Sequence, residues 1–172
     1  SHFGFNNFII CLGYKGEIIK EYFINYEMMN NDITVRMGRT KSIELHPRKN
    51  ASEEWNITLV DTGLKSMTGC RVKRIEKYIH EDLFFLTYGD GLARIDLNEL
   101  LNFHRSHGKL ATVTGVFPPS RFGELVVEND QVVGFCEKPQ THAGCINGGF
   151  FVFNRGIFDY LSFDENCTLE YG

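Results

Sequence analysis

Apolar and polar positions along the chain repeat with two periods, one typical of strands and one of helices. Short apolar or alternating runs predict strands at residues 7–12, 56–61, 83–86 and 110–117. Apolar positions three or four residues apart predict helices between them, at residues 15–29, 69–79 and 97–107. Strands that alternate with helices indicate an α/β fold, with a mainly parallel mixed sheet sandwiched by helices in one domain over residues 1–172.

The rest of the chain adds shorter elements. Alternating residues beside turn-forming residues predict further strands at 32–37, 42–46, 124–127, 131–137 and 149–153. The second of the two resulting hairpins turns at Asn129-Asp130, and a short helix follows the last strand at 155–161.

One helix carries signals for both of its ends. Asp96 is a helix-capping residue type, Glu99 three positions later resembles a capping box, and Gly108 favours the end of the helix. His104 falls on the apolar stripe of this helix. We therefore interpret His104 and His107 as packing residues rather than as a metal-binding pair.

Composition and charge restrict the class of protein. The net charge of 18 − 22 = −4 and the lack of a Lys/Arg cluster argue against a nucleic-acid groove. No apolar run approaches the ~20 residues that span a bilayer, so we expect no membrane partner. Five cysteines, an odd number without a Cys-x-x-Cys pair, favour a reducing, cytoplasmic setting with buried thiols.

The alternation of strands and helices is interrupted at both ends of the chain. Ser1 stands directly before a strand, and Gly172 follows what looks like the start of a new element. We therefore expect a piece of a longer protein, truncated at both ends and lacking a preceding strand–helix unit.

A Gly-flanked aspartate, Asp90, follows the apolar strand at 83–86. Ligands of open α/β sheets bind beyond the carboxyl ends of strands, and a carboxylate there can hold Mg²⁺ against substrate phosphates. An ordinary Gly-Asp-Gly turn explains the same residues equally well.

Three further stretches bring together polar groups suited to a sugar phosphate or a nucleotide. Glu137-Lys138 closes a strand before Pro139, although an exposed ion pair is the simpler interpretation of the residues alone. Asn147-Gly148 allows a close approach of a ligand to the backbone, or makes a turn. Hydroxyl and glycine residues between Asp61 and Arg71 lead into a helix, either as an anion site or with Thr68 as a helix cap.

Taken together and in order, these strings resemble the sugar-phosphate nucleotidylyltransferases. The strings are Leu59-Val60-Asp61-Thr62-Gly63, Met67-Thr68-Gly69, Thr87-Tyr88-Gly89-Asp90-Gly91, Arg121-Phe122-Gly123, Glu137-Lys138-Pro139 and Ile146-Asn147-Gly148-Gly149-Phe150. The resemblance covers nearly the whole chain. Within the family, the chain is most similar to the cytidylyltransferase branch. It implies a Rossmann-like nucleotide-diphospho-sugar transferase architecture and, for the intact protein, transfer of a cytidylyl group from CTP to glucose 1-phosphate.

The resemblance also implies roles for individual residues. Asp90 matches a Mg²⁺ ligand, and with Arg71 and Lys138 it forms the implied catalytic set. The implied nucleotide-binding residues are Ser66, Thr68, Gly69, Arg71, Tyr88 and Gly89. The implied sugar-phosphate-binding residues are Gly123, Glu137, Lys138, Asn147, Gly148 and Glu170. We expect a homo-oligomer for the intact protein.

Some family features are missing, and they leave alternatives open. The family's Gly-rich phosphate loop and a second metal-binding aspartate are not in these residues, and Cys70 stands where glycine is common, which could tighten the pocket. We therefore expect the 172 residues alone to be inactive. The alternatives are a uridylyl- or thymidylyltransferase, a metal-dependent glycosyltransferase, or a non-catalytic module that binds a nucleotide or a sugar phosphate.

Overall fold

The computed structural model describes residues 2–47, 54–117, 124–136 and 145–170. The chain divides into two compact units. The first consists of Ser1–His80 and Phe158–Gly172, and the second of Glu81–Ile157.

A parallel pair of strands forms the sheet of the first unit. Its elements are β1 (Asn7–Leu12), α1 (Gly16–Ile24), α2 (Tyr26–Asn30), β2 (Asp32–Arg36), β3 (Ser42–His46), β4 (Asn56–Asp61), α3 (Thr68–Arg74) and a 3₁₀ turn at Glu76–Tyr78. β1 pairs in parallel with β4, while β2 and β3 form an antiparallel hairpin. Buried apolar side chains from β1, β4 and α3, together with Phe158, make the core.

The helix predicted at 15–29 is broken at Asn25. This residue has φ −95° and ψ 4°, and its side-chain amide donates to the carbonyl oxygen of Glu21 at 2.9 Å. Asparagine side chains compete in this way for backbone groups and so favour helix ends over helix interiors.

A central antiparallel strand organises the second unit. Its elements are β5 (Leu83–Thr87), α4 (Leu97–His107), β6 (Ala111–Val116), β7 (Glu124–Glu128), β8 (Gln131–Cys136), β9 (Ile146–Asn154) and the start of a 3₁₀ helix at Arg155–Tyr160. β9 lies between β5 and β6 and is antiparallel to both, and β7 pairs with β8. Phe151, Val152 and Phe153 of β9 are buried.

The predicted α/β class is confirmed, with both parallel and antiparallel pairing. Among the described strands, β1 and β4 form the parallel pair, and the other pairings are antiparallel. β5 and β6, which α4 connects, run in the same direction on either side of β9. The alternation of strand and helix fixes that shared direction but does not show that a later strand inserts between them.

The predicted signals at both ends of α4 are confirmed. A side-chain oxygen of Asp96 accepts from the backbone N–H of Asn98 at 2.8 Å and of Glu99 at 3.1 Å. Gly108 ends the helix with φ +61°. Within the described part of the chain, no helix is long and apolar enough to cross a bilayer.

His104 and His107 belong to a chain of hydrogen bonds inside the second unit, which the apolar stripe alone does not predict. His104 is 2% exposed, and its Nδ1 lies 2.8 Å from Thr112 Oγ1. His107 Nε2 lies 2.7 Å from the same hydroxyl. His107 Nδ1 accepts from the backbone N–H of Lys109, so in the neutral ring Nε2–H donates to Thr112, whose O–H donates to His104.

The chain of hydrogen bonds closes through Asn154. His104 Nε2 lies 3.3 Å from Asn154 Oδ1, and Asn154 Nδ2 donates to the carbonyl oxygen of Lys109 at 2.9 Å. The side chains thus connect α4, β6 and β9 through polar groups that satisfy one another.

We predict that Thr112→Val will lower the free energy of unfolding by about 1–3 kcal/mol, because valine has a similar shape but leaves two imidazole nitrogens without their partner. Urea denaturation measures the change. Thr87→Val, at an exposed strand position, is the matched control and should change stability by less than about 0.5 kcal/mol. Equal effects of the two substitutions would contradict a structural role for the Thr112 hydroxyl.

Candidate functional site

Three donors converge on one carbonyl oxygen at the carboxyl end of β1. The Leu12 oxygen accepts from the Thr62 N–H at 2.9 Å and from the Thr62 hydroxyl at 2.8 Å. Arg71 Nη1 donates to it at 3.0 Å. Thr62 is fully buried, so these bonds hold the ends of β1 and β4 and the side of α3 together.

Arg71 therefore places its charge at the edge of the parallel pair. Its Nη1 also donates to Thr62 Oγ1 at 2.8 Å, and its Nη2 reaches the Leu64 carbonyl at 3.5 Å. A side chain at Gly13 would clash, because an ideal Cβ there would lie 2.7 Å from Arg71 Nη2. The resemblance assigns Arg71 to the nucleotide, and in the structure its guanidinium lies at this edge.

A cavity opens beside the same strand ends. It has a volume of about 170 Å³ and is lined by Leu12, Gly13, Gly16, Glu17, Lys20 and Asp61. Ligands of open α/β sheets bind at such carboxyl ends. Both a lysine and carboxylates line the cavity, which suits a polar ligand.

Arg74, one turn after Arg71 on α3, fixes Ser66. Arg74 Nη1 donates to Ser66 Oγ at 2.8 Å and to the Thr62 carbonyl at 2.7 Å. Its Nη2 lies 3.9 Å from a carboxylate oxygen of Glu165. Sequence reasoning missed Arg74, although the i, i+3 spacing of the two arginines places them on one helix face.

Residues 163–170, which we call the strap, cover the beginning of α3. The backbone N–H of Met67 donates to the Glu165 carbonyl at 2.8 Å, and that of Cys70 donates to the Cys167 carbonyl at 3.0 Å. An ideal Cβ at Gly69 would lie 2.8 Å from Cys167 Sγ. The chain itself thus supplies carbonyl partners for two amides at this helix start.

Thr68 and Glu170 meet where the strap reaches α3. The Thr68 hydroxyl donates to Glu170 Oε2 at 2.9 Å and accepts from the Leu169 N–H at 3.0 Å. The helix begins at Thr68, so its capping position is Met67 and not Thr68. The Thr68 hydroxyl binds the strap instead. A residue predicted for the nucleotide thus contacts one predicted for the sugar.

Cys70, expected to tighten the pocket, lies fully buried under the strap. Its thiol donates to the Phe163 carbonyl, with Sγ 3.5 Å from the oxygen. Its side chain therefore packs against the strap rather than reaching solvent.

In the second unit, Asp90 lies in an exposed turn after β5. The Gly91 N–H donates to the Tyr88 carbonyl at 3.4 Å, so Gly89 and Asp90 form the middle of this turn. In the described ranges there is no group of three or more His, Cys, Asp or Glu side chains that could hold a metal ion. One exposed carboxylate fits Mg²⁺ that is otherwise bound by water and substrate phosphates.

Asn147 lies within hydrogen-bonding distance of Tyr88. Asn147 Nδ2 donates to the Tyr88 hydroxyl at 3.3 Å, and Asn147 Oδ1 accepts from the Gly149 N–H at 2.8 Å. An ideal Cβ at Gly148 would lie 2.9 Å from the Thr114 carbonyl, so β6 requires glycine at this position.

The predicted site residues thus form two described groups and one group outside the described residues. The first unit brings together Ser66, Thr68, Gly69, Arg71 and Glu170. The second brings together Tyr88, Gly89, Asp90, Asn147 and Gly148. Gly123, Glu137 and Lys138 lie outside the described residues. The assigned roles stay predictions.

Comparison with known proteins identifies relatives along the whole chain. The nucleotidyl transferase family matches residues 70–170. Glucose-1-phosphate cytidylyltransferase of Salmonella typhi is 49% identical over 162 residues, which are 94% of this chain and 62% of that protein. The probable glucose-1-phosphate cytidylyltransferase of Bacillus subtilis is 43% identical over 169 residues, which are 98% of this chain and 65% of that protein. The chain spans less than two thirds of these curated relatives.

Solved structures agree on the fold. The crystal structure of HddC from Yersinia pseudotuberculosis superposes with a TM-score of 0.64 at 19% identity, covering 99% of this chain and 65% of that one. At this identity the likeness concerns the architecture alone.

We predict that Cys11 will be alkylated at least about tenfold more slowly than exposed Cys145 at about pH 8, because the thiolate is the reactive form. Burial raises the pKa of the Cys11 thiol to about 11, and the charge of Arg71 opposes part of that rise. Iodoacetamide labelling followed by peptide mass spectrometry measures both rates. Equal rates at about pH 8 would contradict the prediction.

The same pKa shift gives a signed dependence of stability on pH. The folded pKa of about 11 lies above the ordinary thiol value of 9.0, so the protonated thiol stabilises the folded state below about pH 9. That contribution is lost as the pH rises towards 11. Cys11→Ala should therefore show a smaller alkaline loss of stability than the unsubstituted protein.

Proposed function

The chain belongs to the nucleotidyl transferase family, and on this premise we propose that the whole protein transfers a cytidylyl group from CTP to glucose 1-phosphate. The products are CDP-glucose and pyrophosphate. The observation that carries the proposal is the 49% identity to a glucose-1-phosphate cytidylyltransferase across 94% of this chain.

The proposed reaction is an in-line displacement at phosphorus. A phosphate oxygen of glucose 1-phosphate forms a bond to the α-phosphorus of CTP, and the bond to the bridging oxygen of the β-phosphate breaks. The electron pair of that bond leaves with pyrophosphate. Both reactants are anions, so the protein contributes chiefly positioning and neutralisation of charge.

Asp90 would hold Mg²⁺ between the two substrates. The carboxylate is exposed between two glycines at the end of β5, so phosphates can approach it without a clash from neighbouring side chains. When bound, Mg²⁺ supplies positive charge to phosphate oxygens that must come close together.

The nucleotide side of the proposal rests on the first unit. Arg71 is held by Leu12 and Thr62, so its charge is fixed before any ligand arrives. A guanidinium has five N–H donors, and the protein uses both hydrogens of Nη1 and one hydrogen of Nη2. We assign the remaining donors to a phosphate of CTP. Ser66, Thr68 and Gly69 would border the same ligand.

The sugar side rests on Asn147, Gly148 and Glu170, together with Gly123, Glu137 and Lys138 from outside the described residues. Amide and carboxylate groups suit the hydroxyls of glucose, and a lysine suits its phosphate. We also place the reaction in the cytoplasm, because Cys11, Cys70, Cys145 and Cys167 are free thiols.

A pyrophosphate-release assay tests the function directly. We expect the full-length protein, with glucose 1-phosphate and Mg²⁺, to turn over CTP in preference to UTP, dTTP and GTP. A preference for another nucleotide would transfer the proposal to that nucleotide's branch of the family, and absence of turnover with all four would overturn it.

We predict that Asp90→Asn will lower turnover by the full-length protein at least tenfold, about 1.4 kcal/mol in the barrier, because the neutral amide binds Mg²⁺ poorly. Asp130→Asn is the matched control, since Asp130 is an exposed turn residue with φ +63°, a conformation that asparagine also adopts. Near-normal turnover by Asp90→Asn would remove Asp90 from the metal site.

We predict that Lys138→Ala will raise the KM for glucose 1-phosphate more than the KM for CTP, because the ammonium is proposed to contact the sugar phosphate. Initial rates with each substrate varied in turn give both constants. Lys41→Ala, at an exposed position, should leave both constants unchanged. A larger effect on CTP would place Lys138 on the nucleotide side.

A further inference from the structure

We infer that Tyr88 is a positioning residue for the sugar: its hydroxyl orients the carboxamide of Asn147, which then binds a hydroxyl of the sugar phosphate. The inference rests on the proposed function and adds to it a residue that acts through another. It moves Tyr88 from the nucleotide side, where the resemblance places it, to the sugar side.

The hydrogen bonds of Asn147 fix which way its carboxamide points. The Gly149 N–H is a donor, so the atom that it contacts at 2.8 Å must be the carbonyl oxygen Oδ1. The amide nitrogen Nδ2 then points to the Tyr88 hydroxyl at 3.3 Å. Both ends of the carboxamide are therefore held, and a flip would set its NH₂ group against the Gly149 N–H, donor against donor.

This arrangement leaves half of the carboxamide for a ligand. Nδ2 carries a second hydrogen, and Oδ1 has a second lone pair. Asn147 is exposed, so both can be reached from solvent. One donor beside one acceptor matches sugar hydroxyls, which donate and accept.

The Tyr88 ring is itself held in place. It packs edge-on against Phe151, with the ring centroids 5.8 Å apart, and Phe151 is buried in β9. An ideal Cβ at Gly149 would lie 2.8 Å from Tyr88 Cδ2, and Gly149 has φ +77°. Glycine at this position thus provides both the backbone turn and the room for the ring.

Tyr88 also begins the turn that carries Asp90. Its carbonyl accepts from the Gly91 N–H at 3.4 Å, and the preceding residue, Thr87, pairs with Phe150. One residue therefore connects the proposed metal carboxylate to the proposed sugar contact. The two groups sit at the same end of the β5–β9 pair.

Tyr88→Phe in the full-length protein tests the inference, because it keeps the ring and removes only the hydroxyl. We expect the KM for glucose 1-phosphate to rise about three- to tenfold, the range for one neutral hydrogen bond, with the KM for CTP unchanged. Tyr160→Phe, at an exposed tyrosine, is the matched control and should change neither constant. A rise confined to the KM for CTP would overturn the inference.

A double-mutant cycle separates positioning from a general structural role. If the hydroxyl acts through Asn147, Tyr88→Phe should add nothing to the KM for glucose 1-phosphate once Asn147→Ala is present. Fully additive effects would overturn the inference. Thermal melting of each variant accompanies the kinetics, since a structural role would lower the melting temperature and change both substrates' constants together.

Asn147→Asp supplies a second arm if Tyr88→Phe does not fold. The carboxylate keeps the acceptor for the Gly149 N–H and can accept from the Tyr88 hydroxyl, but it has no N–H for the sugar. We expect a raised KM for glucose 1-phosphate, and an unchanged value would overturn the inference. Failure of the proposed function itself is distinct, because the unsubstituted protein would then release no pyrophosphate.

Discussion

The first unit depends on the Leu12 carbonyl oxygen, which accepts three donors at the point where β1 ends. Two come from Thr62 and one from Arg71, and the accepting strand, the neighbouring strand and α3 are joined at this oxygen. A carbonyl has two lone pairs, so the three donors share them, and Leu12 and Thr62 are both buried, where hydrogen bonds are electrostatically stronger than in water. The same bonds fix the guanidinium that we propose for the phosphates of CTP.

Local signals in the sequence were sufficient for most element boundaries. β1 and β4 have the predicted bounds, and α4 is capped by Asp96 and ended by Gly108 as expected. The cap and the glycine each act within one turn of the helix, so the few residues around each helix end are sufficient to determine where the helix begins and ends. Asn25 shows the limit of periodicity, since its apolar neighbours continue the helical pattern while its own side chain ends the helix.

Contacts between distant residues could not be predicted in this way. The insertion of β9 between β5 and β6 joins residues about thirty to seventy positions apart, and no local pattern encodes which strands become neighbours. The strap is a stronger case, because Thr68 and Glu170 meet across 102 positions. Periodicity predicted neither the strap nor the contact of Arg74 with Ser66. The family resemblance assigns roles to several residues in each of the two units, but it does not indicate which of these residues contact one another.

The structure gives the glycines of the family-like strings a different role from the one that the sequence suggests. In the sequence, the glycine of Asn147-Gly148 was interpreted as room for a ligand, and Gly69 was assigned to the nucleotide pocket. In the structure, the space beside Gly69 is filled by the strap, and the space beside Gly148 by β6. Gly149 makes room for the Tyr88 ring. Close packing of the chain against itself is thus sufficient to explain these three glycines. The chemistry that we propose for the strings consequently rests on their polar members, above all on Asp90 and Asn147, and Gly149 holds the Asn147 side chain through its N–H.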